Sequence, residues 1–144
     1  MIKANSFLWV KQAAEAIEYY KKAFDAVEIY RLTEADGKVS HAEITIGGAK
    51  IELAGEYPEY GILGPETIGN TTVGIHLHVD DADKVYNQAI AAGAISVNPI
   101  ADQFYGERSG SVKDPFGHYW MISTTIEIVH PDEIQKRFLA LYVK

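Results

Sequence analysis

One spacing constrains this chain more than any other feature. Val10 and Val79 each close an apolar, strand-like segment just ahead of a helical pattern, and 69 residues separate them. Gly37 and Gly106 share that interval. The order strand–helix–strand–strand–strand is therefore written twice, which reads as one module duplicated within the chain.

In the first copy, residues 4–10 read as a strand. Over 12–25 the residues Ala13, Ile17, Tyr20 and Phe24 make one apolar stripe, while Glu15, Glu18, Lys21 and Lys22 lie outside it, as an amphipathic helix requires. A strand near 27–33 leads to the turn 35–38. Segments 39–46 and 49–54 alternate apolar and polar around Gly47-Gly48. A two-residue loop sets Ile46 opposite Ala49, Ile44 opposite Ile51 and Glu43 opposite Glu52. One face then carries Ala42, Ile44, Ile46, Ala49, Ile51 and Leu53, and the other His41, Glu43, Thr45, Lys50 and Glu52. The apolar face packs on the helix. The polar face must meet water, a ligand or another chain.

Residues 55–71 are rich in Gly, Pro, Glu and Tyr and read as a linker. The pattern then restarts with a strand at 73–79 and a helix at 82–92, capped by Asp80 or Asp81 and closed by Gly93. Strands follow near 95–100, 109–113 and 118–126, with a turn at Asp114-Pro115-Phe116-Gly117. Pro131 opens a last helix, and its apolar residues Phe138, Leu139, Leu141, Tyr142 and Val143 are exposed unless something packs on them.

Composition excludes several functions. The net charge of −7, with no basic stripe, argues against nucleic acid. No run approaches the ~20 apolar residues that span a bilayer, so no membrane role is expected. No secretory signal pattern opens the chain. There is no cysteine, which removes thiol nucleophiles and cysteine-ligated zinc and suits a cytoplasmic protein. Phosphate-binding loops, dinucleotide fingerprints, nucleophile elbows and zinc-protease helices are all missing.

Four stretches carry a resemblance: Ala13 to Phe24; Gly37-Lys38-Val39-Ser40-His41-Ala42-Glu43; Val79-Asp80-Asp81-Ala82-Asp83; and Asp102-Gln103-Phe104-Tyr105-Gly106-Glu107-Arg108-Ser109-Gly110 running on to Asp114-Pro115-Phe116-Gly117-His118. With them the chain resembles the vicinal-oxygen-chelate superfamily of glyoxalases, bleomycin-resistance proteins and dioxygenases, and more closely its PhnB-like branch. The resemblance implies an α+β fold of two tandem βαβββ modules around a cavity, commonly in a homodimer. It makes residues 1–144 one domain, with module one at about 4–56, a linker at 57–71, module two at about 72–126 and a C-terminal helix at about 131–143.

It also implies where a metal would sit. In metal-using members four ligands come from the first and fourth strands of each module, and those positions here hold Asn5, Glu52, Gly74 and Met121. The same 69-residue interval relates Asn5 to Gly74 and Glu52 to Met121. Only Glu52 is a strong ligand, because Gly74 offers no side chain, Met121 is a soft thioether and Asn5 a neutral oxygen. The expectation is no cofactor. A divalent metal would need Glu52 with His41 and His76, which alternation aims at the same side, together with His78. The competing reading makes these residues a polar cavity lining. Glu43 opposite Glu52 is expected to raise one carboxyl pKa, giving a candidate general base, unless Lys50 or Arg108 neutralises the pair.

Phe7 and Trp9 share the face of Asn5, and Tyr119 that of Met121, so the hollow should be aromatic. The segment Asp102 to Gly110 reads as a loop that offers Tyr105 and Arg108 to a ligand carboxylate or phosphate, or else as a structural loop in which Arg108 bonds Asp114 or Glu107. Two functions compete. One is a protein that binds a small organic molecule through Asn5, Phe7, Trp9, His41, Glu43, His76, Tyr105, Arg108, Tyr119 and Met121. The other is a metal-dependent lyase, isomerase or dioxygenase with Glu52 as base. A third reading is a dimeric assembly domain with no ligand.

Overall fold

The computed structural model describes residues 1–143. Its elements follow the two repeated patterns closely: β1 (Ser6–Val10), α1 (Ala13–Phe24), β2 (Val27–Thr33), β3 (Val39–Ile46), β4 (Ala49–Gly55), α2 (Pro65–Ile68), β5 (Gly74–His78), α3 (Ala82–Ala92), β6 (Ile95–Asp102), β7 (Glu107–Lys113), β8 (Tyr119–Thr125) and α4 (Pro131–Ala140). They make two βαβββ modules and a C-terminal helix, an α+β fold. The sheets run β1-β4-β3-β2 and β5-β8-β7-β6. In each, the first and fourth strands pair in parallel and the other neighbours are antiparallel.

The duplication reaches individual hydrogen bonds. Glu34 N–H donates to Lys38 O at 2.7 Å and Gly37 N–H to Glu34 O at 2.9 Å. In the second copy Gln103 N–H donates to Glu107 O at 2.7 Å and Gly106 N–H to Gln103 O at 3.1 Å. Gly37 and Gly106 take φ of +94° and +93°, a region that side chains disfavour. The segment Asp102 to Gly110, expected as a loop, is therefore a tight turn between two strand ends.

The Gly47-Gly48 loop sets the expected register, with Glu43 opposite Glu52 and Ile44 opposite Ile51. Ala42, Ile44, Ile51 and Leu53 are buried, whereas Ala49, at the tip, is exposed. Asp81 is the residue that caps α3, accepting from Lys84 N–H at 3.1 Å. Asn5 lies outside β1 and is exposed. The linker has structure of its own. Pro58 opens a short 3-10 turn and Pro65 opens α2, because a proline at the first helical position loses no hydrogen bond there. Gly61 and Gly69 close them at φ +72° and +96°.

The core forms where each sheet lays its apolar face on the helices. Ile17, Tyr20, Ile44, Leu53, Val112, Trp120 and Ile122 are almost completely buried. The helices also tie the modules together. The Tyr19 hydroxyl donates to Ala89 O at 3.1 Å, and the Gln88 amide donates to Lys22 O at 2.8 Å. The turn after β7 crosses between modules. Asp114 accepts from the Tyr20 hydroxyl at 2.6 Å, from Trp120 Nε1 at 2.9 Å, and from the backbone N–H groups of Phe116 and His118. A buried carboxylate with four donors is a satisfied one. Burial, with Asp114 alongside, pushes the Tyr20 hydroxyl pKa well up, so the ring stays a neutral donor. The other face of each sheet is left open within the chain.

Candidate functional site

On the open face of sheet one, strand register sets side chains in rows. Phe7 is level with Glu52, then Glu43, then Tyr30, and the next row holds Trp9, Ala54, His41 and Leu32. The Phe7 and Trp9 rings lie 4.6 Å apart, and His41 stands 5.5 Å from Phe7 and 5.7 Å from Tyr30. Glu43 and Glu52 are cross-strand neighbours, yet each has its own partner: Lys50 Nζ sits 3.0 Å from Glu43, and His41 Nε2 sits 3.8 Å from Glu52. The Lys50 ammonium offsets the repulsion between the two carboxylates. The hydrogen bond to Glu43 raises the Lys50 pKa, so its charge is held there.

Sheet two aligns Gly74 with Tyr119 and Lys113, His76 with Met121 and Ser111, and His78 with Ser123 and Ser109. His76 Nε2 meets the Ser123 hydroxyl at 2.7 Å, and Ser123 donates to Ser109 at 2.9 Å. The His76 and His78 rings lie 4.1 Å apart, tilted by 33°. Desolvation, helped by His78, lowers the His76 pKa, so a neutral ring is favoured. His76 thus belongs to a histidine–serine group on its own sheet. The expected cluster with His41, Glu43 and Glu52 does not form, because those three stand on the other sheet. Among the described residues no three of His, Cys, Asp or Glu are grouped to hold a metal ion.

The four positions that the resemblance assigns to a metal make a poor ligand set here. Beyond the weak donors, the space at Gly74 is taken. A Cβ built there would stand 2.8 Å from the Tyr119 ring and 3.4 Å from Met121 Cε. No larger ligand side chain enters that spot unless Tyr119 moves.

Arg108, expected to fork onto a ligand or onto Asp114 or Glu107, closes on other partners. Its Nε and Nη2 donate to Asp83 at 2.7 and 2.9 Å, and its Nη1 donates to Asp102 at 2.9 Å. It ties the first turn of α3 to the β6–β7 hairpin. Tyr105 stands edge-on to Phe104, in the turn gripped by α4 through Arg137, which donates to Phe104 O at 3.0 Å. Neither residue joins the aromatic group on sheet one.

The modules and the linker border a partly open cavity of about 320 Å³. Phe7, Leu8 and Trp9 of β1, Ile75 of β5, and Leu63, Pro65, Ile68 and Val73 line it, with Ser6, Asn70, Thr71 and Thr72 as its small polar residues. His118 is its buried polar side chain, 8% exposed, with Nε2 at 3.2 Å from Trp9 O. A carbonyl accepts only, so Nε2 donates and the neutral ring keeps Nδ1 as an acceptor. Burial lowers the His118 pKa, against an opposing pull from Asp114, and so favours that neutral form. Residue-by-residue reading missed His118 and the linker's place in the lining. His118 ends the motif quoted above, but nothing local says that its ring reaches the first strand. The linker's composition carries no face signal at all.

Residues 4–122 match the family model described as the Glyoxalase/Bleomycin resistance protein/Dioxygenase superfamily. The chain belongs to this superfamily. Among curated relatives, a protein of Mycobacterium bovis described as uncharacterised is 43% identical over 131 residues, covering 89% of this chain and 86% of its own. Two solved structures show how the glyoxalase-type fold is shared. A Bacillus cereus PhnB protein, described as a putative 3-demethylubiquinone-9 3-methyltransferase, has a TM-score of 0.68 at 17% identity, over 86% of this chain and 100% of its own. The fosfomycin resistance protein FosX of Listeria monocytogenes has a TM-score of 0.66 at 18% identity, over 93% and 99%. Among the described residues of this superfamily member, no helix is long and apolar enough to cross a membrane.

Proposed function

We propose that this glyoxalase-superfamily chain binds a small organic molecule between its βαβββ modules and does so without a four-ligand metal centre. One observation carries the reading: the place where a ligand side chain would stand at position 74 is filled by Tyr119 and Met121. The aromatic walls around Trp9 and Phe7 and the volume of about 320 Å³ support it. The likeness to a PhnB protein supports membership of that branch. The two open sheet faces suit a homodimer in which each face gains a cover. An acidic, cysteine-free composition suits the cytoplasm.

A metal-dependent lyase, isomerase or dioxygenase is the second reading, favoured by the 3.8 Å approach of His41 to Glu52. Tag-free purification followed by native mass spectrometry and elemental analysis decides between them. The expected result is a bound organic molecule, released unchanged, with no stoichiometric metal. A stoichiometric transition metal that Glu52→Gln removes would instead establish the enzyme.

A further inference from the structure

Charge is absent from the lining of the inter-module cavity. About a quarter of the chain is Asp, Glu, Lys or Arg (23%), yet none of these residues lines this space. An ionised ligand group placed there finds no countercharge, and burying an unpaired charge is far costlier than burying an apolar ring. The walls are flat: Phe7 and Trp9 lie against each other, with Ile75 beyond. The one buried polar side chain in the lining, His118, keeps Nδ1 as an acceptor. At about 320 Å³ the space is at the small end of ligand sites.

From this we infer that the cavity is the binding site for a neutral, planar, largely apolar molecule with one hydrogen-bond donor, and that Ile68 of the linker and Val73 just beyond it set its selectivity. The inference rests on the small-molecule reading above and narrows it to a ligand class. Ile68 and Val73 stand at the mouth, 65% and 66% exposed, so substitutions there change the opening without breaking the core. Glu43, Lys50, Glu52 and His41 stand on the same face of sheet one as Phe7 and Trp9 but lie outside this lining.

Isothermal titration calorimetry with two probes of one shape tests the assignment: 2-naphthol, which is neutral and carries one donor, and 2-naphthoate, its anionic counterpart. The native chain is expected to bind 2-naphthol at least about ten-fold more tightly, with Trp9 emission quenched. Ile68→Trp, which fills the mouth, is expected to weaken 2-naphthol about ten-fold while circular dichroism stays unchanged. Val73→Lys adds a cation at the rim and is expected to shrink the preference for 2-naphthol over 2-naphthoate. No binding of 2-naphthol, equal affinity for the two probes, or affinity untouched by both substitutions overturns the assignment. Those outcomes leave the broader small-molecule reading standing, since that is decided by what co-purifies with the native chain.

Discussion

At Gly74 and His118 single residues shape the space around the strands. A missing side chain at 74 lets the Tyr119 ring lie where a ligand would otherwise reach. A buried imidazole at 118 joins the end of one module to the first strand of the other, through Trp9 O. The His118 arrangement has a measurable pH consequence. Burial lowers its pKa below the usual 6.5, as it does for His76, so the folded chain binds fewer protons than the unfolded one in that region. The stability these rings contribute is complete above about pH 6.5 and falls as pH drops toward their lowered folded values. Urea unfolding at a series of pH values is expected to show this decline, and His118→Gln to flatten it in part, leaving the share due to His76. An unchanged slope in His118→Gln would show that burial of this ring is not what titrates.

Elements repeat in this molecule with the same geometry but different surroundings. The β2–β3 and β6–β7 turns share hydrogen bonds and a glycine φ near +94°. Around Gly37 nothing lies within 4 Å of an added Cβ, whereas at Gly106 that Cβ would sit 2.2 Å from Glu127 O. Gly37→Ala should therefore cost only the left-handed backbone penalty, about 1–2 kcal/mol. Gly106→Ala should cost that plus a steric clash with backbone, a total of roughly 3 kcal/mol or more. Paired denaturation curves check this, and equal losses would mean that the crowding at Gly106 is relieved by movement of the 126–129 segment. The hairpins were also the most legible elements in the chain. A two-residue loop leaves one register, and alternation then assigns faces, so Glu43 opposite Glu52 followed from spacing alone. The approach of Lys50 to Glu43 and of His41 to Glu52 depended on side-chain reach across strands, and the grip of Arg108 on Asp83 and Asp102 joined segments 25 and 6 residues away.

For the whole molecule, unpartnered apolar surface is the main feature. Val27, Ile29, Tyr30 and Leu32 on β2, Ile95 and Val97 on β6, and Phe138, Leu139, Leu141, Tyr142 and Val143 at the C-terminus are all exposed in one chain. Exposed apolar side chains that cluster on one surface mark an interface. The proposed homodimer predicts sedimentation at twice the monomer mass, with Leu32→Lys shifting the equilibrium toward monomer by burying an unpaired charge. Sedimentation as a monomer at micromolar concentration would remove the homodimer from the functional proposal.

The amino-acid order alone determined the two modules, the placement of most strands and helices, and the hairpin register. Each of these follows from local periodicity or turn chemistry. Only the folded chain decided that the linker lines a cavity, that His118 and Asp114 bridge the modules, and that His76 stands apart from Glu52. Those outcomes depend on which distant surfaces meet, and an alternating pattern states which way a side chain faces without stating what it will face.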